Sequence, residues 1–87
     1  MPVVALRAPL RALAGGNAEL RLEGSTVGEV IASLQRAWPR TTGWIVDERG
    51  LIRAHVNVFV NGERADVTTP VRAEDRLQVI ASISGGT

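Results

Sequence analysis

The segment from Ala54 to Gly62 constrains the fold more than any other part of this 87-residue chain. Valines alternate with polar or aromatic residues from Val56 to Val60, which is typical of a strand with one buried face. Asn61-Gly62 follows directly and favours a two-residue hairpin turn, because both central positions of a type I′ turn need positive φ. The segment therefore predicts a strand, a tight turn and a returning strand in an antiparallel sheet.

One amphipathic helix is predicted between Thr26 and Pro39. Apolar residues at spacings of three and four share one face of this segment: Val27, Val30, Ile31, Leu34 and Trp38. Thr26 and Glu29 have the spacing of a capping box, which satisfies backbone N–H groups at the start of a helix. Gly28 lies inside the helix at a cost of about 1 kcal/mol relative to alanine. Pro39 predicts the end of the helix.

Three more segments have the pattern of strands: Val3–Ala8, Ala18–Glu23 and Arg76–Ile83. A glycine-rich turn at Ala14–Asn17 predicts that the first two form a hairpin. The order strand, strand, helix, strand, short strand, strand predicts an α+β domain over residues 1–83. In it, a mixed four- to five-stranded sheet carries one main helix on one face, because each element has only one apolar side to bury.

The remaining segments are predicted to connect these elements. Residues 40–53 contain several helix and strand breakers and are expected to form a loop with one helical turn. Residues 63–70 are expected to hold the short returning strand and a loop, and Arg72–Asp75 a polar turn. Residues 84–87 carry two adjacent glycines and are expected to form a flexible tail, since glycine is costly to order.

The composition argues against several functional classes. The chain has no cysteine, a net charge of +1 and scattered basic residues, all ten of them arginine. It therefore lacks thiolate chemistry and the basic cluster of a nucleic-acid-binding surface. No apolar stretch approaches the ~20 residues that span a membrane, and a cytoplasmic protein is expected. No set of a nucleophile and a base, metal cluster or phosphate loop indicates an enzyme.

The other polar residues with possible chemistry are interpreted as structural or surface residues. His55 has no second histidine and no carboxylate at a helpful spacing, so a structural or incidental role is favoured over metal binding or catalysis. Glu74-Asp75 is interpreted as part of a solvated turn rather than as a catalytic pair. Arg11, Arg53 and Arg64 are interpreted as surface charge, although they could also meet acidic surfaces of a partner.

The segment from Asp47 to Glu63 closely resembles the central part of the MoaD/ThiS-type sulfur carriers, which have the β-grasp (ubiquitin-like) fold. The shared pattern is Gly-x-x-Arg-x-x-Val-Asn-Val-aromatic-Val-Asn, and it is most similar to the MoaD and CysO-like branch. Leu10-Arg11, Thr26-Val27 and Gly85-Gly86 also match that family. The acidic, glycine-rich stretch usual in the family is thin between Glu63 and Pro70.

The resemblance implies a carrier protein and not an enzyme. In this family an ATP-using enzyme of the ubiquitin-activating type adenylates the terminal glycine carboxylate, and sulfur then replaces one oxygen to give a thiocarboxylate. A sulfur-accepting biosynthetic enzyme consumes the sulfur, for example in making molybdopterin, cysteine, thiamine or a specialised metabolite. The resemblance thus implies that Gly86 is the reactive residue and that the carrier itself binds no cofactor.

The glycines suit that chemistry because glycine lets the backbone approach a ligand closely. Ser84, Gly85 and Gly86 are expected to enter the active site of the partner, since Ser84–Thr87 can span at most about 13–14 Å. Thr87 places a stiff β-branched residue after the glycines. We expect a peptidase, similar to the JAMM-type zinc peptidases, to remove Thr87. The alternatives are a cloning remnant or a carrier that has lost its chemistry.

Phe59 and Ile80 lie opposite to the apolar faces of their predicted strands. If the two strands are neighbours, these side chains form part of an exposed apolar patch, and such patches mark interfaces when they are contiguous. Phe59 also matches the aromatic position of the family pattern, on the face that the resemblance implies for docking. We therefore expect a partner-docking patch, the alternative being scattered surface hydrophobic residues.

The sequence leaves three functional hypotheses. The first is a thiocarboxylate sulfur carrier, and the second is a β-grasp interaction module with an inert tail. The third is a ubiquitin-like protein tag whose adenylated end is joined to a lysine amine. The biosynthetic pathway and the oligomeric state are left open.

Overall fold

A computed structural model describes residues 1–81 of the chain. Five strands and two helices follow one another in the order β1 (Val3–Leu6), α1 (Leu10–Leu13), β2 (Glu19–Arg21), α2 (Val27–Ala37), β3 (Val56–Val60), β4 (Glu63–Ala65) and β5 (Arg76–Ala81). A single 3₁₀ turn at Pro39–Thr41 follows α2. The predicted α+β architecture with one main helix is confirmed, and the sheet has five strands in the described residues.

The strands form one mixed sheet in the order β2-β1-β5-β3-β4. The two chain-distant strands β1 and β5 pair in parallel at its centre, with Val4 beside Leu77. β2 pairs antiparallel with β1, and β3 pairs antiparallel with both β5 and β4. We call the side of the sheet that packs against α2 the inner face and the opposite side the outer face.

The core lies between the inner face and α2. On α2 the buried residues are Val27, Val30, Ile31 and Leu34, four of the five predicted for the apolar face; the fifth, Trp38, follows the last helical residue and packs half-buried against the core. From the sheet, Val4, Val58 and Leu77 are at most 2% exposed. Burial of a side chain of this size contributes about 1.5–3 kcal/mol, so each of these residues contributes substantially to the driving force for folding.

The start of α2 is held by side chains and by a loop. Glu29 N–H donates to Thr26 Oγ1 at 3.2 Å, as the capping box predicts, while Glu29 Oε1 accepts from Ser25 N–H at 2.8 Å, one residue further back than that motif requires. Gly28 N–H donates to the Val67 carbonyl at 3.0 Å, and a Cβ at residue 28 would lie 3.1 Å from the same oxygen. Close contact with this loop explains why a glycine is present inside the helix.

The connection between β1 and β2 differs from the prediction. The strand predicted over Val3–Ala8 ends at Leu6, and the short helix α1 at Leu10–Leu13 precedes the glycine turn. Leu10 is 1% exposed, so tertiary burial stabilises this single helical turn. An isolated helix of this length is marginal in water, and sequence periodicity over so few residues gives little signal. The antiparallel β1–β2 hairpin itself is confirmed, although β2 covers only Glu19–Arg21 of the predicted Ala18–Glu23.

The predicted β3–β4 hairpin is confirmed in detail. Asn61 and Gly62 have φ of 51° and 85°, and Val60 pairs with Glu63 across the two-residue turn. The Asn61 side chain ties this turn to the start of β5: its Nδ2 donates to Asp75 Oδ1 at 2.9 Å, and its Oδ1 accepts from Arg76 N–H at 3.0 Å. These bonds hold β3, β4 and β5 in a fixed register.

We expect Gly24→Ala to lower the free energy of unfolding by about 2–3 kcal/mol, because overpacking at a fixed backbone cannot relax. A Cβ at residue 24 would lie 2.6 Å from Val30 N, whose position is fixed by its bond to the Thr26 carbonyl at 3.0 Å. Gly43→Ala is the matched control. Gly43 has φ of 85° and no atom within 4 Å of the added Cβ, so backbone strain of about 1 kcal/mol is expected. Urea denaturation measures both, and equal losses would contradict the predicted clash.

No helix of the described chain, residues 1–81, has the length and apolar character that crossing a membrane requires. The last two residues of the predicted Arg76–Ile83 strand lie outside the described residues. The predicted tail, Ser84, Gly85, Gly86 and Thr87, lies outside them as well.

Candidate docking face and carboxyl-terminal segment

The outer face of the sheet is defined by the strand register. Residues that pair directly across neighbouring strands point to the same side, so alternate positions of each strand line this face. Its members are Glu19, Arg21, Val3, Ala5, Arg76, Gln78, Ile80, Asn57, Phe59 and Arg64. No described helix packs against this face, whereas α2 covers the inner one.

Phe59 and Ile80 lie on adjacent strands of the outer face. Asn57 pairs with Ile80, and Phe59 pairs with Gln78, so the two apolar side chains are diagonal neighbours across β3 and β5. Such diagonal neighbours are about 7–8 Å apart, within reach of an aromatic side chain. Both residues are half-buried, and neither belongs to the hydrophobic core or to the side chains packed against it. The structure thus brings together the two residues that the sequence predicted as a patch.

Charged residues surround this apolar pair. Arg76 forms an ion pair with Glu19 across the sheet. Arg21 lies on the edge strand β2 and Arg64 on the opposite edge strand β4, both exposed. Because Glu19 is the one acidic residue among the strand positions of the described outer face, that face carries net positive charge.

The tail predicted to be reactive follows the central strand of the sheet. β5 lies between β1 and β3, and its described part ends at Ala81, opposite Val56. Ser84, Gly85, Gly86 and Thr87 lie outside the described residues, so the structure does not place them. The five residues from 82 to 86 can span at most about 16–18 Å from the end of β5.

Asp75 and His55, which the sequence predicts to have no catalytic role, lie in a turn and on an exposed segment of the chain. Asp75 Oδ2 accepts from Arg72 N–H at 2.8 Å, and this bond, together with the Asn61 amide, lowers the pKa of the Asp75 carboxyl. Asp75 therefore stabilises a turn, as expected. His55 is exposed just before β3. Residues 1–81 contain no cluster of three or more histidine, aspartate or glutamate side chains placed to hold a metal ion.

This sheet order, with a parallel central pair and one helix crossing the inner face, defines a β-grasp protein of the ubiquitin-like class. The model of the ThiS family matches residues 4–86. The chain therefore belongs to the ThiS family, and the match ends at Gly86.

Proteins that are similar to this chain in sequence or in structure are consistent with its assignment to the ThiS family. The small archaeal modifier protein 1 of Haloferax volcanii is 32% identical over 62 residues, which cover 71% of each chain. The crystal structure of SAMP1 from the same organism superposes with a TM-score of 0.86 at 30% identity, over 98% of both chains. The crystal structure of the Amycolatopsis orientalis BexX/CysO complex gives a TM-score of 0.89 at 24% identity, over 99% of this chain and 100% of that one, which supports the fold alone.

Proposed function

We propose that this protein is a sulfur carrier whose Gly86 carboxylate is converted to a thiocarboxylate. The observation that carries the proposal is the family match over nearly the whole chain, which extends through both glycines to residue 86. The carrier supplies the acyl group, and an adenylating enzyme of the ubiquitin-activating type supplies the ATP site.

The proposed chemistry has two steps. A Gly86 carboxylate oxygen attacks the α-phosphate of ATP, and pyrophosphate leaves to give an acyl adenylate. A hydrosulfide then attacks the acyl carbon, AMP leaves with the bonding electron pair, and a proton is lost, which gives the thiocarboxylate. Activation is required because a free carboxylate is a poor electrophile, whereas AMP is a good leaving group. A sulfur-accepting biosynthetic enzyme then takes the sulfur.

The glycines and the residue after them determine access to this chemistry. Gly85 and Gly86 let a narrow backbone pass between the ATP phosphates and the walls of the partner's site, because glycine has no Cβ. Thr87 would move the reactive carboxylate onto a β-branched residue. We therefore propose that a peptidase, of a JAMM-like zinc type, removes whatever follows Gly86 before activation.

The outer face of the sheet is proposed to dock on the adenylating enzyme. Phe59 and Ile80 form its apolar centre, and β5 leads from this face directly toward the tail. A partner that covers the outer face would therefore have its active site within the reach of about 16–18 Å available to residues 82–86. Docking and threading of the tail are then a single binding event.

The direct test incubates the chain that ends at Gly86 with ATP, a sulfide source and the adenylating enzyme of the same organism. The expected product has the mass gained when one oxygen is exchanged for one sulfur, located on the last residue by fragmentation. The chain that retains Thr87 is the matched control and should not react. Absence of exchange in the trimmed chain under conditions that form the acyl adenylate would contradict the carrier proposal.

A second candidate is a small protein modifier joined to lysine amines. It is favoured by the 32% identity to a protein named as a small archaeal modifier. Both functions begin with adenylation and differ in the nucleophile, hydrosulfide or amine. Because this chain has no lysine, its conjugates could not extend into lysine-linked chains. High-mass adducts on other proteins, without sulfur exchange, would favour the modifier. If neither adducts nor sulfur exchange are detected, an inert interaction module is the hypothesis that stays.

A further inference from the structure

A groove near the apolar pair is lined by two arginines from the two sides of the β3–β4 hairpin. Arg53 lies before β3 and Arg64 on β4, and both contribute to a surface concavity of about 240 Å³ together with Asn57 and Asp66. We call this concavity the arginine groove. The groove lies at the edge of the sheet beside β4, and two of its lining residues, Arg64 and Asn57, belong to the outer face, where they pair with Phe59 and Ile80.

The arginine groove keeps a net positive charge, because two guanidinium groups face the single carboxylate of Asp66 and neither is paired with a carboxylate in the described chain. Among residues 1–81, ion pairs within 4 Å join Arg49 to Asp47 and Arg76 to Glu19, so neither Arg53 nor Arg64 has a carboxylate at that distance. Both guanidinium-bearing residues are exposed. Two such groups around one concavity offer the paired N–H donors that bind carboxylates.

Asp66, the acidic residue that lines the groove, is already engaged by its own loop. Its Oδ1 accepts from Thr68 N–H at 2.9 Å and from Thr68 Oγ1 at 2.6 Å. These bonds, the Thr68 hydroxyl first among them, hold the pKa of the Asp66 carboxyl below its usual value. Asp66 is therefore charged at neutral pH, but it is committed to the loop that follows β4.

We propose that the arginine groove binds the carboxylates of an acidic segment on the protein that docks against the outer face. This inference rests on the docking role proposed above and adds the chemistry of the partner surface. An acidic protein segment is favoured over a small free anion because the groove adjoins Phe59. A segment with carboxylates beside an apolar residue fills both parts of this surface, whereas a free anion uses only the charged part.

The arginine groove has two consequences for docking. Charge complementarity at the rim of an apolar contact chiefly accelerates association and fixes orientation, so binding becomes dependent on salt. Its place on the β3–β4 side also fixes the rotation of the carrier on its partner. That rotation directs the end of β5, and hence the tail, toward one point on the partner.

The groove can be tested without knowing the partner, by NMR titration with a synthetic peptide of alternating glutamate and leucine. We expect backbone amide shifts at Arg53, Asn57 and Arg64 that disappear at high salt. They should also weaken in each of the single variants Arg53→Glu and Arg64→Glu. Arg40→Glu, on the exposed 3₁₀ turn beside α2, makes the same kind of charge change and should leave the shifts intact.

Three outcomes of the titration would overturn the inference. Equal shifts from a peptide with glutamine in place of glutamate would mean that charge plays no part. Equal shifts from inorganic phosphate at the same concentration would indicate a general anion site. Equal loss of binding in Arg40→Glu would indicate an effect of net charge alone.

The adenylating enzyme provides the second test. Each reversal, Arg53→Glu or Arg64→Glu, is expected to raise the KM for the carrier about tenfold and leave kcat unchanged, because it alters docking and not the acyl chemistry. A lowered kcat with unchanged KM would contradict the inference. If the unsubstituted chain is never adenylated, the proposed function fails, whereas the peptide titration still decides whether the arginine groove binds carboxylates.

Discussion

In a chain that ends at residue 86, Gly86→Val is expected to reduce acyl adenylate formation at least about a hundredfold. A displacement of about 1 Å at a reacting centre can cost that much in rate. The valine adds a branched Cβ next to the reacting carboxylate, where the backbone must pass close to the ATP phosphates. Pyrophosphate release in the presence of the adenylating enzyme measures the effect.

Side chains of increasing size at residue 86 test whether bulk at this position causes the loss of rate. Gly86→Ala adds one methyl group and should fall between glycine and valine. Thermal unfolding of all three chains should coincide, because the hydrophobic core of the described chain is formed by residues 4–79. If the valine chain is adenylated as fast as the glycine chain, the close-approach argument for Gly86 fails.

Phe59→Ser is expected to weaken binding to the adenylating enzyme about thirtyfold, the loss of about 2 kcal/mol typical of an aromatic hot spot. The free energy of unfolding should change by less than about 1 kcal/mol, because Phe59 is half-buried on the outer face and does not pack against the core. Calorimetric titration of the carrier into the enzyme and urea denaturation of the carrier measure the two effects separately.

Val58→Ser provides the matched control on the same strand. Val58 is the preceding residue, points to the inner face and is 1% exposed. Its replacement buries a hydroxyl group and leaves a cavity, so the free energy of unfolding should fall by about 2–4 kcal/mol. If Phe59→Ser unfolds the protein as readily as Val58→Ser, Phe59 is a core residue and the docking proposal fails.

The two faces of β3 show how much of the candidate site could be predicted from sequence. Strict alternation places Val56 and Val58 on one side and Asn57 and Phe59 on the other, and the burial of the valines confirms this. The same rule separates Ile80 from Val79 on β5. Phe59 and Ile80 are neighbours because β3 pairs with β5. From sequence, that pairing is a condition of the predicted patch and is not itself predicted.

The arginine groove could not be predicted in this way. Arg53 and Arg64 come together because the Asn61-Gly62 turn brings β4 back along β3. The sequence predicts the Asn61-Gly62 turn, but tertiary packing sets the positions of Arg53 before β3 and of the loop after β4. From sequence alone, both arginines are therefore interpreted as surface charge, with contact to an acidic partner as the alternative.

By itself, the sequence determined the helix with its cap, the β3–β4 turn, the alternation of the strands and the family pattern from Asp47 to Glu63. These features depend on neighbouring residues, whose periods of two and 3.6 can be recognised along the chain. Only the tertiary structure decided the parallel pairing of β1 with β5, the single turn of α1 and the groove between Arg53 and Arg64. The strand pairing and α1 depend on contacts between residues far apart in sequence, and the groove depends on how the segment before β3 packs beside β4.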